Sequence, residues 1–134
     1  MGSDNNDSYN LNGIKPREYQ INIVKEAMGK NTLVVLPTGL GKTIVAAMLA
    51  KISLDHGRRV ILVAPTRPLV DQHLKTFTEL FKEENWVISS ITGHTKISER
   101  KDIWSKSNLI ISTPQTVKGD IQEHVLYALL IIFP

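Results

Sequence analysis

Leu36-Pro37-Thr38-Gly39-Leu40-Gly41-Lys42-Thr43 is the stretch that decides how the rest of the chain reads. Ahead of it lies TLVVL, Thr32–Leu36, a short apolar run of strand-forming residues. Behind it the apolar residues continue as a helix that ends at Gly57. A strand, a glycine-rich turn and a helix opened by Lys-Thr form the arrangement that a nucleoside triphosphate needs. Gly39 and Gly41 let the backbone curl so that its N–H groups face inward. The helix start adds free N–H groups and the positive end of the helix dipole. Lys42 has the reach for the β- and γ-phosphates, and the Thr43 hydroxyl suits Mg²⁺. The strict phosphate-loop pattern has glycine where this chain has Leu36. The alternative is a plain strand–turn–helix with a capping glycine, and the strand–loop–helix context favours the phosphate loop.

Outward from this loop the chain alternates between helices and apolar runs. Upstream, Pro16 suits a first helical position, and Ile21, Val24 and Met28 recur at helical spacing before Gly29. Downstream, RRVILVA (Arg58–Ala64) predicts a strand and Pro68–Lys82 a helix. Trp86–Ile91 predicts a third strand, and Ser98 is expected to cap a short helix through Ser105. Asn108–Ser112, a helix over Pro114–His124 and a strand over Ala128–Phe133 complete the series. Strands that are apolar throughout, each followed by a helix, imply an α/β fold: a parallel sheet with helices on both faces. In such folds the functional loops leave the carboxyl ends of the strands. Here those ends read LPTGLGKT, APTRPL, TGHT and STPQT. Residues 1–12 have no apolar repeat and read as a disordered polar leader, with one domain over residues 13–134.

Composition agrees with one soluble domain. The 134 residues are 42% hydrophobic and 22% charged, ordinary values for a globular chain. No cysteine is present, which excludes disulfides and cysteine-ligated metal sites and leaves an intracellular setting as the expectation. His56, His73, His94 and His124 lack the short spacings of a metal site. The net charge is +3; with Asp4 and Asp7 of the leader set aside, 16 basic residues face 11 acidic ones. That excess is compatible with a phosphate-rich partner without requiring one. No membrane association is expected: the longest apolar run, Val125–Phe133, is nine residues, against roughly 20 for a spanning helix.

PTGLGKT resembles motif I of superfamily 2 helicases, and the likeness continues in that family's order. REYQ (Arg17–Gln20) resembles the adenine-recognition element and APTRPLVDQH (Ala64–His73) resembles motif Ia. ITG (Ile91–Gly93) resembles the threonine–glycine element, and STPQT (Ser112–Thr116) resembles motif Ib. Within the superfamily the motifs look most like the Hef and Fanconi-anaemia M-protein branch of DNA helicases and translocases, while Dicer- and RIG-I-type RNA helicases share much of the pattern. The resemblance implies a RecA-like P-loop NTPase domain with ATP and Mg²⁺ as cofactors, DNA or else RNA as partner, and a cytoplasmic, nucleoid-associated setting. It places the nucleotide against Arg17, Gln20, Pro37, Thr38, Gly39, Leu40, Gly41, Lys42 and Thr43. Of these, Gln20 reads the adenine edge, Lys42 and Thr43 serve catalysis, and Thr43 is the Mg²⁺ ligand. It places the nucleic-acid backbone against Pro65, Thr66, Arg67, Thr92, Gly93, Thr113, Pro114 and Thr116. Such contacts position a strand without reading its sequence.

Other readings stand beside these. Arg17 and Gln20 also fit a solvated helix face, and Thr113-Pro114 also fits a helix cap with proline at the first position. Trp86 and Trp104 fit packing better than base stacking. Lys96, Arg100, Lys101 and Lys106 read as a solvated face. The family's Asp-Glu-x-His box is expected after the strand Ala128–Phe133, where this chain has Pro134. The resemblance therefore implies an incomplete domain, inert in hydrolysis by itself, and leaves room for a second chain that carries the remaining motifs. It also implies that Thr32–Leu36 and Ala128–Phe133 each lack a neighbour on one side. A non-catalytic ATP- or nucleic-acid-binding module and a small-molecule kinase are the competing classes. REYQ, APTRPL and TPQT have no task in a kinase.

Overall fold

The computed structural model describes residues 11–29, 41–121 and 128–132. The expected strand Thr32–Leu36 and the turn residues Pro37, Thr38, Gly39 and Leu40 lie outside the described residues. The chain divides into two compact units, Met1–Ile52 and Ser53–Pro134.

Residues 1–10 of the expected leader lie outside the described residues, and the described part of the first unit begins with a tight turn. Leu11 and Ile14 form an antiparallel bridge around Asn12 and Gly13, whose φ angles are 49° and 82°. Asn-Gly is the pair that a two-residue turn of this hand favours. Leu11 is fully buried. Helix α1 (Glu18–Ala27) starts two residues after Pro16, with Arg17 as N-cap. The Arg17 N–H donates to Gln20 Oε1 at 2.8 Å, which satisfies one helix-end donor. Its buried face is Gln20, Val24 and Ala27, while Met28 is 44% exposed. The face is thus one step off the expected Ile21–Val24–Met28 stripe, because a polar residue joins it. Gly29, at φ 72°, follows the last turn. Helix α2 (Lys42–Asp55) begins in the first unit and ends in the second. Gly57, at φ 76°, ends it, and Arg58 N–H reaches back to the Ser53 carbonyl at 2.9 Å.

The second unit is a parallel sheet. Strands β1 (Arg59–Val63), β2 (Ile88–Ile91), β3 (Leu109–Ser112) and β4 (Ala128–Ile132) lie in the order β2-β3-β1-β4. Register is set residue by residue: Ile61 pairs with Ile110 and with Leu130, and Ser89 with Ile110. Between the strands run α3 (Arg67–Leu80), α4 (Ile97–Lys106) and α5 (Pro114–Ile121). On one face Ile61, Val63, Ile91 and Ile110 pack with Trp104 of α4 and Val117 of α5. The alternate residues Val60, Leu62, Leu109 and Ile111 are equally buried, as strands covered on both faces require.

Helix α3 follows from its ends and its spacing. The Thr66 side chain accepts from Leu69 N–H as N-cap, and Pro68 occupies the first turn. Val70, Phe77 and Leu80 make the buried face. Phe81 meets Trp86 edge-on at 5.3 Å. Trp86 therefore packs, as expected, although β2 begins only at Ile88. Ser98 does not cap α4: the N-cap is Lys96, without a side-chain bond, and Ser98 is the second helical residue.

β1 and β3 are flanked on both sides, which gives a direct expectation for hydrogen exchange. Amides of Val60–Val63 and Leu109–Ile111 should exchange most slowly in the chain. Faster exchange in β1 than in β2 would contradict this strand order.

Candidate functional site

In the first unit, Gln20 and Gly41 join two sequence elements 21 residues apart. Gln20 is 5% exposed, so it belongs to no solvated face, whereas Arg17 is exposed. Gln20 Nε2 donates to the Gly41 carbonyl at 3.3 Å, while Oε1 holds the Arg17 N–H. Gly41 has φ 73°, and a Cβ there would run into Gln20 Nε2. Glycine is required twice over, by backbone conformation and by space. The Gly41 carbonyl also receives Ile44 N–H at 3.1 Å and Val45 N–H at 3.3 Å, so Gly41 caps α2. Lys42 and Thr43 are the first two residues of that helix and are half-buried. Their N–H groups have no partner within the helix. A left-handed glycine feeding a Lys-Thr helix start fits a phosphate group and its Mg²⁺. Lys42 and Thr43 are the residues with the chemistry to hold them.

In the second unit, three neighbouring strands end in the three loops expected to touch nucleic acid. β1 runs into Pro65, Thr66 and Arg67, all exposed, and the Ala64 N–H pairs with Ser112 O at 2.9 Å. Thr66 spends its oxygen on capping α3, and Arg67 is the first residue of that helix. β2 runs into a closed turn. Thr92 N–H donates to Thr95 Oγ1 at 3.1 Å, Thr95 N–H returns to Thr92 O at 3.0 Å, and Thr92 Oγ1 accepts from His94 N–H at 3.3 Å. Thr92 is 8% exposed and turns inward, whereas Gly93 and His94 face solvent. β3 runs into Thr113 and Pro114, where α5 begins. The hydroxyls of Thr113 and Thr116 lie 3.0 Å apart, and Thr116 is 7% exposed. Buried Ser112 donates to Ile91 O at 2.7 Å, which ties the ends of β2 and β3 together.

One group was not legible as part of this site. Arg100 is not solvated: its guanidinium reaches Thr92 O, Thr95 O and Asp120 Oδ1 at 3.1–3.2 Å. Trp104 Nε1 donates to the other Asp120 oxygen at 2.9 Å. The sequence signal was spacing. Arg100 stands four residues before Trp104 and so shares the helix face that a packed tryptophan must bury.

A family model described as DEAD/DEAH box helicase matches residues 17–133. The chain belongs to the DEAD/DEAH box helicase family. The ATP-dependent DNA helicase MPH1 of Vanderwaltozyma polyspora is 34% identical over 94% of this chain and 13% of its own length. The DEAD-box ATP-dependent RNA helicase FANCM of Arabidopsis thaliana is 38% identical over 85% of the chain and 9% of its own. The helicase domain of Pyrococcus furiosus Hef superposes with a TM-score of 0.75 at 41% identity, over 81% of this chain and 23% of that one. The helicase-family chain thus has a RecA-like fold and sits with the Hef and FANCM branch. It spans under a seventh of the length of these two curated relatives. Among the described residues no helix is long and apolar enough to cross a membrane.

Proposed function

We propose that this chain is the ATP- and strand-binding part of an ATP-dependent DNA helicase or translocase. The observation that carries the reading is the common edge: Pro65–Arg67, Thr92-Gly93 and Thr113–Thr116 leave the same ends of three adjacent parallel strands. The exposed Arg67 at a helix start, the exposed Gly93 and the half-buried Thr113 beside exposed Pro114 along such an edge suit a phosphodiester backbone. Arg67 supplies charge, and Gly93 lets a phosphate approach the backbone. Thr113 with Pro114 and Thr116 presents the start of α5. Gly41, Lys42 and Thr43 hold the triphosphate and Mg²⁺, with Pro37, Thr38, Gly39 and Leu40 completing the loop. MPH1 and two further relatives matched over four fifths of the chain or more are named DNA helicases, against the RNA helicase name of Arabidopsis FANCM, and this balance favours DNA as the polymer.

Fluorescence anisotropy with labelled single strands tests the strand half of this reading. Binding should be blind to sequence and should weaken as salt rises, with log K falling by about 0.7 per decade of salt for each phosphate contacted. Binding that survives high salt or selects one sequence would sink it, and tighter binding to RNA than to DNA would reassign the polymer.

Gln20 gives a test of the nucleotide half. Its amide offers adenine one donor and one acceptor, a pattern that guanine reverses. One amide hydrogen is committed to Gly41 O and one oxygen lone pair to Arg17 N–H, so adenine would meet the second of each. Gln20→Ala should reduce the preference for ATP over GTP. A preference that stays the same in titrations of both forms would leave Gln20 a purely structural link between α1 and α2.

A further inference from the structure

We propose that Arg100 is a positioning residue for strand binding, one that fixes the Thr92–Thr95 turn against the last turn of α5, the helix whose start carries the next loop. The proposal rests on the strand-binding reading above. All three guanidinium nitrogens are committed. Nε donates to Thr95 O at 3.1 Å, Nη2 to Thr92 O at 3.2 Å, and Nη1 to Asp120 Oδ1 at 3.2 Å. The two carbonyls bracket Gly93 and His94, so the arginine clamps the base of that turn from inside. Asp120 belongs to α5, the helix that Thr113 and Thr116 begin. Its second oxygen is held by Trp104 Nε1 at 2.9 Å, and Trp104 is anchored in the core. One arginine therefore ties one strand-end loop to the last turn of the helix whose start forms the next loop. The side chains of Arg100 and Asp120 are 18% and 16% exposed, so their charges meet each other far more than they meet solvent.

The physical consequence concerns preorganisation. Neighbouring phosphates of a strand keep within a bounded range of separations, and a protein that already holds its contact loops within that range loses less freedom on binding. Lysine cannot take the place of this arginine. Its single ammonium cannot meet three acceptors in a planar fork, although it carries the same charge.

The test is Arg100→Lys in the full chain, titrated with labelled single-stranded DNA and separately with ATP–Mg²⁺, well below the melting temperature. Affinity for the strand should fall about tenfold, the effect of one weakened charge-assisted hydrogen bond, while ATP–Mg²⁺ affinity stays the same. Amide exchange at Gly93–Thr95 should quicken while β1 and β3 keep their protection. If Arg100→Lys does not fold, Trp104→Phe keeps an aromatic ring in the core and removes the N–H to Asp120, at the cost of some packing volume. The same comparison is then made on it, with a smaller loss expected. Equal losses for strand and nucleotide would overturn the proposal in favour of general destabilisation. Unchanged strand affinity in a wild type that binds would overturn it alone. A wild-type chain that binds neither DNA nor RNA would overturn the functional reading, and this proposal with it.

Discussion

Replacing Lys42 with alanine should weaken ATP–Mg²⁺ binding by about 10- to 150-fold, since a hydrogen bond to a charged group contributes about 1.5–3 kcal/mol. Lys42 is the first residue of α2, directly after the left-handed Gly41, and it is half-buried. A cation there faces the same region as the N–H groups that open the helix, so its charge adds to the helix dipole at the phosphates. Alanine is a good helix former, and Lys42 is not among the buried core residues. The melting temperature of the nucleotide-free chain should therefore move little. Calorimetric titration of both forms separates the outcomes: indistinguishable isotherms would mean that the glycine turn holds no triphosphate.

Gly41→Ala should destabilise the chain by about 2–5 kcal/mol even without nucleotide. Two costs combine. A side chain at φ 73° costs about 1–2 kcal/mol. The new Cβ would also displace the buried Gln20 amide, which now donates to Gly41 O and accepts from Arg17 N–H. Leaving one such buried group unpaired costs about 1–3 kcal/mol. Relief by movement is limited, since Gln20 is 5% exposed and sits on the buried face of α1 with Val24 and Ala27. Thermal unfolding of Gly41→Ala beside Gln20→Ala checks the coupling. The double variant should be less destabilised than the sum of the two, because removing the amide removes the collision. Strict additivity would show that the cost is backbone conformation alone.

The parallel α/β fold is legible in the sequence because it rests on local causes. Apolar runs at Arg59–Val63, Leu109–Ser112 and Ala128–Ile132 alternate with helical spacing, and such runs have few folds open to them. The described helix ends differ from the expected ones by one or two residues where the terminal turns are set by capping geometry, as with Lys96 in place of Ser98. The polar members of the core were the harder part. Gln20, Thr92, Ser112 and Thr116 are polar in sequence and buried in the fold. Each has a hydrogen-bond partner within the fold, which no local pattern announces.

By itself the sequence determined the alternation of strands and helices, the glycine–lysine–threonine turn, the family, and the strand-end loops that carry the candidate residues. Those depend on near neighbours along the chain: spacing, capping and the conformational freedom of glycine. The tertiary structure alone decided the strand order β2-β3-β1-β4, the inward turn of Thr92, the link from Gln20 to Gly41, and the clamp of Arg100 across Thr92, Thr95 and Asp120. The physical reason is that a buried polar group must find a partner wherever the fold brings one. Arg100 and Asp120 are 20 residues apart in sequence, and the closing of α4 and α5 over one sheet face is what makes them meet.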